Sequence, residues 1–259
     1  MAIKSLFVSH GSPTILIEDN PWKKLLSNLG KRLSEEEKPE AVVVISPHFT
    51  SWNGEFLIEI QDPLPCIQDY YGFPQELYSY CYSTHNDTDL ATSIIKAAKS
   101  RGLRARAHEK WGLDHGAWIP LLYMFPNGIK TVPISITEAS PETHLEMGKA
   151  IADASRGRRI LVIGTGSPTH RLDLMYLGAR KISNKLDHTL ASILEKGDLE
   201  ALLQLRSTRE WIEAQPEGLL RPLYIAIGAA ETPKAKVFAM DSPWPGVSMF
   251  AAEFLDSSA

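Results

Sequence analysis

The sequence predicts a single α/β domain over residues 1–259, built on a central, mostly parallel mixed sheet with helices on both faces. Three observations predict it. Short β-rich apolar runs alternate with amphipathic helical stretches along the chain, the pattern of a sheet covered by helices on both sides. Runs such as Val42-Val43-Val44-Ile45 and Ile160-Leu161-Val162-Ile163 are apolar at every position, as strands buried on both faces read. No internal repeat, low-complexity tract or interdomain linker divides the chain, and 259 residues are enough to bury a sizeable core in one unit.

The elements follow in order. Residues 5–8 form a first strand that breaks into His10-Gly11-Ser12-Pro13. Trp22, Leu25, Leu26 and Leu29 at helical spacing predict a helix over 21–32, followed by a solvated connection at 34–39. A strand at 41–46 runs out to His48, and 54–60 reads as another strand. Residues 62–82, dense in Pro and Tyr, read as a long irregular loop, which in a compact domain points to function. Helices are expected at 87–101, 117–124 and 141–154, and strands at 131–136 and 159–164. Helices also fill much of 173–213, with one more across 219–227.

Composition bounds the partners. Hydrophobic residues at 44% and charged residues at 22% are ordinary values, and a net charge of −4 with scattered Lys and Arg gives no reason to expect nucleic acid or an anionic membrane. The N-terminus runs straight into a strand, leaving no room for a signal peptide, and no apolar stretch approaches the ~20 residues of a membrane span. The two cysteines, Cys66 and Cys81, are too few for a disulfide framework and are expected to be structural, in a reducing cytoplasm. Homo-oligomer formation is left open.

Of eight histidines, His85, His144 and His188 lie in polar or helical contexts and read as solvated surface residues, and His108 sits in an unremarkable basic stretch. His10, His48, His115 and His170 differ, because Gly, Ser or Pro flanks each beside a buried element. In open α/β sheets ligands bind beyond the carboxyl ends of the strands, and imidazole is the commonest protein metal ligand. Several imidazoles delivered there suggest a metal or acid–base site; each alone could simply bond a loop backbone. Gly164-Thr165-Gly166-Ser167 lacks the Gly-Lys-Ser/Thr ending of a phosphate loop, and no Gly-x-Ser-x-Gly elbow supports Ser12 or Ser167 as a nucleophile.

Taken in series, His10-Gly11-Ser12-Pro13, Ser46-Pro47-His48, Tyr71-Gly72-Phe73-Pro74, Gly112-Leu113-Asp114-His115-Gly116-Ala117-Trp118 and Gly164-Thr165-Gly166-Ser167-Pro168-Thr169-His170 resemble the class III (LigB-type) extradiol ring-cleaving dioxygenases. The resemblance is greatest to the 4,5-DOPA dioxygenase branch. It extends through 222–230 and Val247-Ser248-Met249, almost the whole chain. It implies a non-haem Fe(II) enzyme (Zn(II) is the alternative metal) that opens a small aromatic diol with O₂ beside its two hydroxyls. It further implies His10 and His48 as metal ligands, His170 as general acid–base, and His115 as a contact to substrate or oxygen. Two histidines and a carboxylate on one face leave open positions for catecholate and O₂, and an imidazole near neutrality suits proton transfer.

The third ligand departs from that branch, which has a histidine shortly before the Pro-Leu-Tyr-type helix. Here the stretch reads Gln215-Pro216-Glu217-Gly218-Leu219-Leu220-Arg221-Pro222-Leu223-Tyr224, with no histidine after His188. A branch similar to protocatechuate 4,5-dioxygenase has a glutamate in this region, which makes Glu217 the candidate, ahead of Glu213 and Glu231. Glu217 otherwise reads as a first-turn helix glutamate favoured by the macrodipole. Two other readings remain: a non-catalytic subunit or metal- or aromatic-binding protein of the same fold, and a zinc-dependent hydrolase, since His₂Glu with one open position also suits zinc. Tyr70, Tyr71 and Phe73 are candidates to wall an aromatic pocket, and Arg171 is a weaker candidate to meet a substrate carboxylate.

Overall fold

The computed structural model describes residues 4–176 and 185–255. In chain order these form β1 (Lys4–Val8), α1 (Pro21–Glu36), β2 (Ala41–Ser51), β3 (Phe56–Glu59), α2 (Thr88–Ser100), β4 (Ala105–His108), α3 (His115–Met124), β5 (Lys130–Thr137), α4 (Pro141–Ala154) and β6 (Ile160–Thr165). There follow α5 (Leu172–Tyr176), α6 (Lys185–Lys196), α7 (Leu199–Gln204), α8 (Arg209–Ala214), α9 (Arg221–Ala230) and a closing hairpin of β7 (Ala235–Trp244) and β8 (Val247–Phe254). The eight strands make one sheet in the order β4-β3-β5-β2-β6-β1-β8-β7. Its centre, β5-β2-β6-β1, is parallel; β3 is antiparallel to β5, and β8 to β1. This is the mixed, mostly parallel sheet that the apolar runs predict.

Alternation along the strands divides the core. Leu6, Val8, Val42, Val44, Leu161 and Ile163 face one layer, where they pack with Leu26, Leu33 and Trp118 of α1 and α3. Val43, Ile45, Ile134 and Val162 face the other, against Ile94 of α2, Ile151 of α4 and Ile225 of α9. Helix α1 starts where Asn20 Oδ1 accepts from the Trp22 backbone N–H (2.9 Å) with Pro21 at its first position, and it buries Trp22, Leu26, Leu29 and Leu33. Trp118 is fully buried and its indole N–H donates to Ile67 O (3.0 Å), tying α3 to the irregular loop. Truncating such a side chain costs about 3–5 kcal/mol.

Three strands escape the sequence pattern. In β4 only four residues pair and two are exposed, and β7 is an edge strand carrying charged residues and a proline. β8 is buried nearly throughout, between β1 and β7. Residues 62–82 are irregular apart from a short turn at Gln75–Ser79, as expected. Cys66 and Cys81 pair with each other across that loop, a link their small number did not suggest. The helices expected within 173–213 are α5 to α8, with 177–184 outside the described residues. Among the described residues, no helix is long and apolar enough to cross a membrane.

His144, expected at the surface, is completely buried. Its Nδ1–H donates to Ser140 O (2.8 Å) and its Nε2 accepts from the Thr137 N–H (3.2 Å), so the neutral ring satisfies both partners. Burial, helped by Arg221 and Arg206, outweighs the Ser140 bond and lowers its pKa from 6.5 to about 4. A second proton on the ring would also remove the acceptor for Thr137. Because the folded value is depressed, the stabilisation is whole above the unfolded pKa of 6.5 and is lost as pH falls through about 4. A gap of that size corresponds to about 3 kcal/mol. Denaturant unfolding followed from pH 7 to pH 4 should show this loss, and His144→Gln should flatten the decline; an undiminished slope in the variant would place the acid sensitivity elsewhere.

Candidate active site and metal centre

The parallel strands deliver their exits to one edge, and backbone bonding fixes each exit. Ser9, just before His10, is bonded at every polar atom. Its N–H donates to Phe250 O (2.9 Å), its Oγ donates to Gly166 O (2.7 Å) and accepts from the Phe250 N–H (2.8 Å), and its carbonyl accepts from Trp22 Nε1 (3.0 Å). His10 is thereby held in a buried position. In β2 the pairing register with β5 breaks between Ile45 and Thr50, an irregularity that re-aims side chains and turns His48 toward the same point.

His115 opens α3, two residues before the expected helix start, because Asp114 caps it. Asp114 Oδ1 accepts from the Ala117 N–H (3.2 Å) and from Ser46 Oγ (2.6 Å), and Oδ2 accepts from Trp111 Nε1 (2.8 Å). The His170 N–H donates to Ala214 O (2.9 Å), and the preceding Thr169 exchanges two 3.0 Å bonds with Ser248 of β8.

Glu217 opens only a short 3-10 turn, Glu217–Leu220, ahead of α9. Gly218, Leu219 and Leu220 all follow it with left-handed backbone (φ 54–55°), and α9 begins only at Arg221. Left-handed conformations of leucine cost of order 1–3 kcal/mol each and persist only where surroundings over-determine them. Here the surroundings are reciprocal bonds with Ser167: the Glu217 N–H donates to Ser167 O (3.0 Å), and Glu217 Oε2 accepts from the Ser167 N–H (3.0 Å). Glu217 therefore lies in a left-handed turn before α9 and not in the first turn of that helix.

The other oxygen, Glu217 Oε1, faces inward. It lies 3.3 Å from His10 Nε2, 3.2 Å from His48 Nε2 and 3.6 Å from His170 Nε2. His10 Nε2 and His48 Nε2 are 3.3 Å apart. Oε1 is buried and makes no well-directed hydrogen bond among the described residues. Donors bound at about 2.1 Å in adjacent positions around one metal lie about 3.0–3.4 Å apart, which are the edges of this triangle. His115 stands behind it, its ring centroid 4.2 Å from that of His48 and 5.2 Å from that of His10. A nitrogen of His115 also lies within 4.8 Å of nitrogens of both, so His10-His48-His115 is a second, wider candidate triad.

Charge follows from this packing. Burial works against the Glu217 carboxylate, but His10 and His170 overcome it and hold the group well below the usual carboxylate range. Burial likewise opposes charge on His48, yet Glu217, Asp114 and Asp69 raise it to about 9. His115 goes the other way: burial, with the neighbouring His48 and His10, lowers its pKa against the pull of Asp69. Over these groups lies a cavity of about 310 Å³, walled by Pro13, Tyr70, Phe73, Leu172, Met175 and Val247. Tyr71 also lines it while remaining largely exposed to solvent.

All five candidates, His10, His48, His115, His170 and Glu217, meet at this cavity. Glu213 and Glu231 are exposed and do not line it. Arg171 is taken up by Asp173 (2.8 and 2.7 Å) and Glu213 O (2.9 Å). Three supporting residues were given no role from the sequence: Ser46, Asp114 and Asp69, whose Oδ1 lies 2.9 Å from His115 Nδ1. Asp114 alone was findable, as a capping residue ahead of an apolar helix.

A carboxylate oxygen among imidazoles, beneath an apolar cavity at the carboxyl edge of a parallel sheet, is an arrangement that could hold a metal ion beside a small apolar ligand. The chain matches the family described as the catalytic LigB subunit of aromatic ring-opening dioxygenase over residues 4–253, and it belongs to that family. It is 31% identical to a 4,5-DOPA dioxygenase extradiol of Beta vulgaris, over 94% of this chain and 92% of that protein. It is 35% identical to the Escherichia coli K12 protein of the same name, over 65% and 60% of the two chains. In fold it is similar to the crystal structure of an uncharacterised Escherichia coli K12 protein, with a TM-score of 0.76, 20% identity, and coverage of 98% of this chain and 100% of that one. The chain is an extradiol dioxygenase by family.

Gly116 is the tightest point of this site. A Cβ there would press on Ser46 Oγ and come within 2.8 Å of His48 Cδ2. Gly116→Ala should displace the His48 ring and weaken Zn(II) binding about tenfold or more while circular dichroism shows the helices intact. Binding at wild-type strength would mean that the site adjusts without loss.

Proposed function

We propose that this protein opens the ring of a catechol-type aromatic with O₂, with non-haem Fe(II) held by His10, His48 and Glu217. The observation that carries this is the 3.2–3.3 Å triangle of His10 Nε2, His48 Nε2 and Glu217 Oε1, closed by a buried oxygen with no other well-directed partner. Two imidazoles and one carboxylate on one face are the ligand set of non-haem Fe(II) oxygenases. The wider His10-His48-His115 triad is less suited, because its ring nitrogens are spread over up to 4.8 Å, against 3.2–3.3 Å in the triangle with Glu217. When bound, the metal supplies the Lewis acidity that eases deprotonation of the diol and the redox capacity that O₂ needs.

The chain's own residues do the rest. Tyr70, Phe73, Leu172, Met175 and Val247 stack on the ring and exclude water. His115, kept neutral by burial and donating Nδ1–H to Asp69, offers Nε2 to accept a substrate hydroxyl proton in a hydrogen bond. His170, partly exposed at the cavity, takes the second hydroxyl proton and returns it to oxygen as the carbon–carbon bond beside the diol breaks. Both atoms of O₂ end in the ring-opened semialdehyde.

Protein reconstituted anaerobically with Fe(II) should consume one O₂ per catechol and develop the visible absorbance of the product. Glu217→Ala should lose bound iron, whereas His170→Ala should keep iron and lose turnover by about 10²-fold or more. Normal iron content in Glu217→Ala would remove it as third ligand, and His115→Ala that lost iron instead would put the wider triad in its place. An iron-loaded protein that binds catechol and consumes no oxygen would make it a binding protein of this fold.

A further inference from the structure

We propose that Asp69 is the positioning residue of this site, a single carboxylate that fixes the rings of His115 and His48 with Nδ1 protonated and Nε2 turned into the cavity. Its Oδ1 accepts from both the backbone N–H (2.8 Å) and Nδ1–H (2.9 Å) of His115, and its Oδ2 lies 3.5 Å from His48 Nδ1. An ionised carboxylate only accepts hydrogen bonds, so a ring nitrogen facing it carries a proton. The opposite nitrogen of each ring is then the one presented to the metal or substrate. The His115 backbone N–H is among the donors that α3 leaves without a helical partner, so one oxygen completes the helix start and orients its first side chain.

Asp69 also docks the pocket wall. Its neighbour Tyr70 lies edge-on to the His115 ring, with centroids 5.4 Å apart and planes at 90°, and the Tyr70 hydroxyl donates to Leu77 O (2.8 Å). Tyr71 and Phe73, two and four residues past Asp69, continue the aromatic lining. The loop that contacts substrate is thus joined through Asp69 to the imidazoles that do the chemistry. The consequence for metal binding rests on His48 being a ligand, as proposed above; the protonation pattern of the rings does not.

Nitrogen-15 NMR of histidine-labelled protein, metal-free and loaded with diamagnetic Zn(II), tests this. In the wild type, Nδ1 of His115 and of His48 should resonate as protonated nitrogens. Asp69→Asn keeps the size of the side chain but places an amide NH₂ group against one of the rings, and Asp69→Ala removes the acceptor altogether. In both, at least one ring should lose Nδ1 protonation, and Zn(II) affinity should fall about 10- to 100-fold, with Asp69→Glu recovering part of it. Unchanged Nδ1 protonation of both rings in both variants would overturn the proposal. Altered protonation at His115 alone would overturn the His48 half of the proposal, and altered protonation at His48 with unchanged Zn(II) affinity would uphold the positioning and remove His48 from the ligand set.

Discussion

Glu217 Oε1 lies among the Nε2 atoms of His10, His48 and His170, and every other feature of the site serves to keep it there. A carboxylate so fully removed from water is strongly disfavoured unless opposite charge or a cation offsets its lost hydration. The chain meets that cost on one side only: Oε2 is bonded to the Ser167 backbone, and Oε1 is left to the imidazoles. Such asymmetry gives no advantage in a structural ion pair, which would bond both oxygens, but it is what a monodentate metal ligand needs. The left-handed backbone at Leu219 and Leu220 is consistent with this, since strain of that kind persists where function over-determines geometry.

Around that oxygen the fold acts as a positioning device. The parallel centre of the sheet brings the exits of β1, β2 and β6 together, the Ser9 bonds and the irregularity in β2 aim two imidazoles, and Asp114 starts α3 so that a third falls behind them. Carboxylates at Asp69 and Asp114 stand outside the imidazoles, one holding ring nitrogens and the other holding Ser46 and Trp111. Opposite effects on neighbouring groups result: His48 is drawn toward the charged form while His115 is kept neutral.

The central strands and the helices α1, α2 and α4 were legible because their signals are local: continuous apolar runs and helical spacing. Strands β4 and β7 were not, because an edge strand needs only a partner, and half its residues face solvent. His144 misled for the same reason. It sits in a polar stretch of α4, yet it is the residue of that turn that reaches the Thr137 backbone under the sheet. Pairing of Cys66 with Cys81 depends on how a loop of irregular path folds back, which no spacing rule specifies.

For the site, the sequence by itself determined which residues have the right chemistry and that they stand at strand exits, because Gly, Ser and Pro beside an apolar run are read locally. It also determined that no late histidine could join the site, since none follows His188. Only the tertiary structure decided that Glu217 turns inward, that one of its oxygens is left facing the imidazoles, and that Asp69 reaches two rings at once. Those are distances between residues as far as 207 positions apart (His10 and Glu217), set by sheet order and by a strained turn. Local propensity carries no information about either.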